Sequence, residues 1–185
     1  MSADAANIHQ ELIARCREGD QEAHFRLYHL YARSMYNVGY RIVNNTEEAQ
    51  DVLQEAFISA FRNLEFYRGD ATFGAWLKRI VVHKAINCLK KKRMERFPDD
   101  ENWDVRQDEV EEEVFPHPVE SVRSAIEKLP DGYRAVLSLY LIEGYDHGEI
   151  AEILGITEST SKSQFNRSKK RLKEILEAKR SREVN

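Results

Sequence analysis

The chain has 185 residues, 42% of them hydrophobic; eight Gly and four Pro are few against abundant Ala, Leu, Glu, Lys and Arg, which predicts an all-α protein of one ordinary or two small domains. The net charge of −4 hides a partition: residues 94 to 120 hold eleven acids against Arg96 and Arg106, a local −9, so the rest of the chain carries +5. The opening residues lack the pattern of a secretory signal and no apolar run nears the ~20 residues of a bilayer span, so a cytoplasmic protein without direct membrane insertion is expected.

In chain order, Ile8 to Glu18 and Glu22 to Val43 read as helices split at Gly19-Asp20. After the turn Asn44-Asn45-Thr46, Asn45 or Thr46 can cap a third helix, and Glu47 and Glu48 suit the positive end of its dipole. Its apolar stripe, Ala49, Val52, Leu53, Ala56, Phe57, Ala60 and Phe61, recurs at three-four spacing. The flank carries Asp51, Gln54 and Glu55, by pattern alone a solvated face. The loop EFYRGDAT then leads into a helix that starts apolar with Phe73, Trp76, Leu77, Ile80 and Val81 and ends in the basic run at 90–93. Here Phe66, Tyr67, Phe73 and Trp76 alternate with Arg68, Lys78, Arg79 and Lys84. Aromatic faces beside cations suit unstacked bases along a charged backbone, and equally Phe73 and Trp76 suit a core.

Residues 94–118 hold the acids together with Pro98, Pro116 and Pro118 and read as a flexible acidic linker. It separates a module at 5–93 from a second at 119–178, with a tail at 179–185. In the second module Val122 to Leu129 and Tyr133 to Glu143 are short helices parted by Pro130-Asp131-Gly132. Another helix follows Gly144, with Ile150, Ala151, Ile153 and Leu154 on its buried side. Gly155 stops it, and Thr157 can cap the next. Helix, three-residue turn and helix make a helix-turn-helix pattern, whose second helix enters the DNA major groove.

On that last helix Ser161, Phe165, Ser168, Leu172, Ile175 and Leu176 share the core side by this reading. Lys162, Ser163, Gln164, Asn166, Arg167, Lys169 and Lys170 are assigned to the opposite side. Cations neutralise phosphates, Ser donates to phosphate oxygens, and Gln, Asn or Arg can pair with base edges; the alternative is a solvated charged face. Cys16 and Cys88 stand far apart without a Cys/His cluster and are expected as packing residues. With no Gly-rich phosphate loop, no HExxH, no GxSxG and scattered His, no catalytic residue, metal site, cofactor or small-molecule substrate is expected.

The order TEEAQDVLQEAFISAF, FYRGDATFGAWLKRIVVHKAINCLKKKR, acidic linker, LPDGYRAVLSLYLIEGYDHGEIAEILGIT and basic helix closely resembles the extracytoplasmic-function (ECF) group of bacterial sigma factors, over about residues 8–178. The resemblance implies that the D-x-x-Q-E helix docks on the β′ clamp of core RNA polymerase through Asp51, Gln54 and Glu55, with Leu53 and Phe57 nearby. It implies that Tyr67, Arg68, Gly69, Asp70 and Phe73 form the loop that captures a flipped minus-ten base, followed by Trp76, Arg79, His83, Lys84 and Asn87 on the promoter path. Many relatives carry Asn where this chain has His83. The second module then resembles region 4, holding the β flap on one surface and reading the minus-thirty-five element with Thr160, Lys162, Ser163, Gln164, Asn166, Arg167, Lys169 and Lys170. Against the family's G-T-V-K-S-R, Ser161 replaces an apolar core residue and Gln164 replaces a cation expected to face DNA, which would trade guanine or phosphate contact for adenine. The linker is expected to mimic nucleic-acid charge inside polymerase, its alternative being a solubilising spacer. An anti-sigma partner is implied, able to sequester the chain at a membrane. The rival readings are a stand-alone helix-turn-helix regulator, which leaves Asp51, Gln54 and Glu55 without a task, and a polymerase-binding helical interaction protein.

Overall fold

Two short polar turns, Gly19-Asp20 and Asn44-Asn45, divide the first ~60 residues into three helices because each ends one helix and caps the next. The computed structural model describes residues 2–96 and 118–183, with side chains for 9–92 and 118–179. It contains α1 (Ser2–Arg17), α2 (Gln21–Val43), α3 (Thr46–Arg62), a 3-10 turn (Leu64–Phe66), α4 (Phe73–Arg96), α5 (Val119–Glu127), α6 (Asp131–Leu141), α7 (His147–Leu154) and α8 (Glu158–Glu183). No strand occurs among the described residues. The chain divides into two compact units, one ending at Lys90 and the other beginning at Lys91.

In the first unit, one Asp20 carboxylate oxygen accepts the Glu22 and Ala23 N–H groups at 2.9 and 3.2 Å, and the other accepts from Arg15 Nε at 2.8 Å. The Arg15 bond and these amides lower the Asp20 pKa, keeping the cap charged. Asn44 ends α2 in the left-handed region at φ 53°, and Asn45 caps α3 through the Glu48 N–H at 3.0 Å. Of the two candidate caps, the structure uses Asn45.

The core of this unit joins Leu27, Val38, Ile42 and Val43 of α2 to Ala49, Val52, Leu53, Ala56 and Phe57 of α3 and to Leu77, Val81, Val82 and Ile86 of α4. Small Ala49, Ala56 and Ala60 let the helices approach closely, and each large side chain contributes roughly 1.5–3 kcal/mol by leaving water. Cys16 lies in this core as expected, and burial pushes its thiol up to about 11. The basic helix runs one turn further than its sequence pattern, through Arg96. The rest of the expected acidic linker, up to 117, lies outside the described residues.

In the second unit, Arg134 is only 3% exposed. It donates to the Leu129 carbonyl at 2.8 Å and pairs with Asp131 at 2.6 Å, so its charge stays satisfied while it fastens the turn after α5 to the start of α6. Asp146 caps α7 with a reciprocal pair: it accepts the Glu149 N–H at 2.8 Å, and Glu149 Oε2 accepts the Asp146 N–H at 3.0 Å. Gly155 takes φ 73°, a conformation that costs other residues strain, and so permits the sharp turn into α8. Thr157 caps α8 by accepting the Thr160 N–H at 3.1 Å. The expected tail is corrected at its start: α8 continues to Glu183, and Lys179 donates to Ser121 of α5 at 3.3 Å.

Candidate nucleic-acid interface

Along α3 the apolar stripe turns inward and leaves Asp51, Gln54 and Glu55 exposed on the other side. Leu53 is 7% exposed and Phe57 3%, so both belong to the core and support this face from beneath. They thus lie near the face, as the resemblance implies, and not on its exposed surface. The pattern missed Ile58, which is 52% exposed one turn beyond Gln54 and gives the polar face an apolar centre. Its signal was an Ile standing at i+4 from Gln54, off the main stripe.

The loop between the 3-10 turn and α4 is held from three directions. Arg17 donates to the Leu64 carbonyl at 3.3 Å and to the Tyr67 carbonyl, and the Tyr67 hydroxyl donates to the Ala71 carbonyl at 2.7 Å. Burial raises the Tyr67 pKa, so the phenol keeps the proton it donates. Gly69 adopts φ 83° in open space, where it supplies backbone shape and no contact of its own. Arg68 and Asp70 stand exposed beside it.

Phe73 is 2% exposed, packed edge-on to Tyr31 and Tyr67 at ring separations of 5.2 and 5.6 Å. Its expected place as a base contact is corrected: it is the floor on which the loop rests. Trp76 is half-buried, 5.3 Å from the Tyr67 ring and 5.6 Å from that of Phe73, so it serves the core with one side and keeps another in solvent. Trp76, Arg79, His83 and Asn87 recur at three- and four-residue intervals along one face of α4, the last three exposed. Lys84 points elsewhere, pairing with Glu55 of α3 at 3.3 Å.

On α8 Lys162, Asn166 and Lys170 are exposed, and Thr160, Ser163, Arg167 and Lys169 are half-buried. Lys162 pairs with Glu158 at 2.7 Å, and Lys169 Nζ lies 5.2 Å from the centre of the Phe165 ring. Gln164 is 3% exposed and its Oε1 has no partner, which corrects its expected place on the DNA-facing side. The reason is angular: at 100° per residue Gln164 stands about 60° from Ser161, within the width of a buried stripe. Ser161 and Ser168 are fully buried, as expected for that face. His147 and Tyr140, which the sequence pattern passed over, stack at 4.4 Å beside this helix.

Among the described residues no helix is long and apolar enough to cross a membrane, and no group of three His, Cys, Asp or Glu could hold a metal ion.

The profile of Sigma-70 region 2 matches residues 27–95, and that of Sigma-70, region 4 matches residues 120–172. The chain is 31% identical over 176 residues to the ECF RNA polymerase sigma factor SigW of Bacillus subtilis, covering 89% of this chain and 94% of that one. It is 32% identical over 174 residues to the ECF RNA polymerase sigma-E factor of Escherichia coli K12, covering 86% and 90% respectively. Two solved structures share the fold. The sigma factor RpoE in complex with the anti-sigma factor NepR from Bartonella quintana has TM-score 0.55 and 18% identity, covering 82% of this chain and 95% of that one. CnrH in complex with the cytosolic domain of CnrY has TM-score 0.53 and 24% identity, covering 90% and 96%. With both regions in order and nearly the whole length aligned, the chain belongs to the ECF group of RNA polymerase sigma factors, which are not enzymes and act in promoter recognition and transcription initiation.

Proposed function

We propose that this sigma factor divides its work among three exposed faces. Asp51, Gln54 and Glu55, with Ile58 among them, hold the β′ clamp of core RNA polymerase. The loop Tyr67, Arg68, Gly69 and Asp70, with Trp76, Arg79, His83 and Asn87, takes the minus-ten element, and Phe73 sets the loop's height. Lys162, Ser163, Asn166, Arg167, Lys169 and Lys170 of α8, with Thr160 at its start, read the minus-thirty-five element. The other surface of the second unit meets the β flap.

In this reading residues 5–93 and 119–178 are the functional domains, and the acidic stretch 94–118 occupies a basic channel of polymerase by charge mimicry. The chain makes no covalent bond itself. It works in the cytoplasm, and an anti-sigma protein withholds it from polymerase; the two solved structures named above hold an anti-sigma factor in one case and the cytosolic domain of CnrY in the other.

The observation that carries the reading is the exposure of Asp51, Gln54 and Glu55 on a helix whose apolar stripe is turned inward. A stand-alone DNA-binding regulator would have no use for that face. The test mixes the protein with core polymerase and promoters mapped from start sites that appear on overproduction. Start-specific transcripts without another sigma factor are expected. Duplex binding without polymerase, and no transcripts with it, would favour the regulator; clamp binding without promoter opening would favour a polymerase-binding interaction protein.

A further inference from the structure

We infer that His147 is the positioning residue that fixes the first turn of α8, an inference that rests on α8 being the helix that reads the minus-thirty-five element. His147 is the first residue of α7, directly after the doubly bonded Asp146 cap, so its backbone is held. Its ring lies flat on Tyr140 of α6 at 4.4 Å and 16°. It also meets Phe165 of α8 edge-on at 5.6 Å, and Tyr140 and Phe165 close the cluster at 4.6 Å. One side chain of α7 thus touches α6 and α8.

His147 Nδ1 lies 2.9 Å from Ser161 Oγ, and Ser161 is 0% exposed. A hydroxyl at this depth cannot reach water, so without His147 it would stand unpaired at the first buried position of α8. The other two buried polar side chains of that helix do not take this role. Ser168 donates back to the Phe165 carbonyl of its own helix at 2.7 Å, and Gln164 Oε1 has no partner. Apolar packing is non-directional and tolerates small slides and rotations, whereas a hydrogen bond restricts both distance and angle. With the hydroxyl present, the rotation that keeps it on His147 is the one that leaves it paired, so His147 sets the turn that carries Thr160, Lys162 and Ser163. A helix that keeps the hydroxyl and loses His147 would shift to find it another partner, keeping its charge and losing its aim, whereas one without the hydroxyl has no such reason to move.

The test compares wild type, His147→Phe, Ser161→Ala and the double variant in transcription with core polymerase, on a mapped promoter with its minus-thirty-five element intact or scrambled. Phe keeps the stack and orphans the hydroxyl. We expect His147→Phe to cut the intact-to-scrambled ratio about fivefold or more. Ser161→Ala alone should change it little, because the half-buried imidazole can turn to water. The double variant should recover to within about twofold of Ser161→Ala, since no hydroxyl remains to be orphaned. General loss of folding would show no such rescue. A responsive wild type with an unchanged ratio in His147→Phe, or a double variant no better than His147→Phe, overturns the inference and leaves the reading helix standing. A wild type indifferent to scrambling overturns the reading helix instead. Amide exchange over 160–163 then still decides the positioning: faster exchange in His147→Phe upholds it, and unchanged exchange overturns it.

Discussion

Lys84 Nζ lies 3.3 Å from Glu55 Oε2, so a cation expected on the promoter path reaches across to the acidic face of α3. The pair edges an open cleft of about 310 Å³ whose lining includes Ile58, Arg62 and Asn63. Their side chains are 35% and 64% exposed, and water screens a pair of that kind. The expected coupling between Glu55→Ala and Lys84→Ala is therefore under ~1 kcal/mol in a double-mutant cycle read by urea unfolding. A coupling of several kcal/mol would mean that the two helices enclose the pair more tightly than its exposure allows.

Weak coupling makes the polymerase face testable without loss of fold. Gln54→Ala with Glu55→Ala should weaken binding to core polymerase by about tenfold or more, with Ile58→Ala deepening the loss, as truncations at the centre of an interface do. Far-UV helicity should stay unchanged. Leu53→Ala and Phe57→Ala should behave in the opposite way, costing about 2–5 kcal/mol of stability through cavities in the core. Intact affinity in the Gln54/Glu55 variant would remove the clamp assignment.

Helix order, the Gly155 stop and the Thr157 cap were legible in the sequence because each is local chemistry: a stripe at three-four spacing, a left-handed turn, a side-chain acceptor at a helix start. What the sequence hid was depth. Phe73 suits a base and a core alike by its pattern, and it lies inside because Tyr31 and Tyr67 cover it, whereas Leu53 and Phe57 lie where their apolar stripe put them. Gln164 was hidden for the converse reason. Polarity argues for the surface, and only the packing of α6 and α7 against α8 reveals that its angle falls within the buried stripe.

Gln164 now belongs to stability rather than to base choice. A buried amide oxygen without a partner carries its desolvation cost with no bond in return. Gln164→Met keeps nearly the same volume and removes that oxygen, so it should stabilise the second unit by about 1 kcal/mol. Promoter preference should not change. Denaturant unfolding followed by amide exchange in α8 measures the first, and transcription on promoter variants the second. A changed base preference would return Gln164 to the DNA face.

The exposed cations of α8 should reveal themselves through salt. Removing one cation from a phosphate flattens the slope of log affinity against log salt by about one. Lys162→Ala and Lys170→Ala in the polymerase holoenzyme are each expected to flatten the dependence of promoter binding on salt by about that amount, where the minus-thirty-five element is required. Lys162 must leave its 2.7 Å pair with Glu158 to do this, so Glu158→Gln should tighten binding modestly. Equal losses on promoters that do not need that element would misplace the reading helix.

His147 gives the second unit a dependence on pH whose sign follows from its surroundings. Burial lowers its pKa below 6.5, the Lys162 charge lowers it further, and Glu158 and Asp146 partly oppose them. The Tyr140 ring covers its face. As pH falls the unfolded chain takes up this proton first, so the stability from the neutral ring is fully present above 6.5 and is lost as pH falls through the folded value. Between about pH 7.5 and about pH 5, the protection factors of amides in α7 and α8, which are corrected for the intrinsic slowing of exchange in acid, should therefore fall. His147 is the histidine of the described part of this unit, so His147→Phe should flatten that response while the response of α2 and α3 stays as in wild type. Rising protection factors on acidification would mean that the imidazolium is the form the folded cluster prefers.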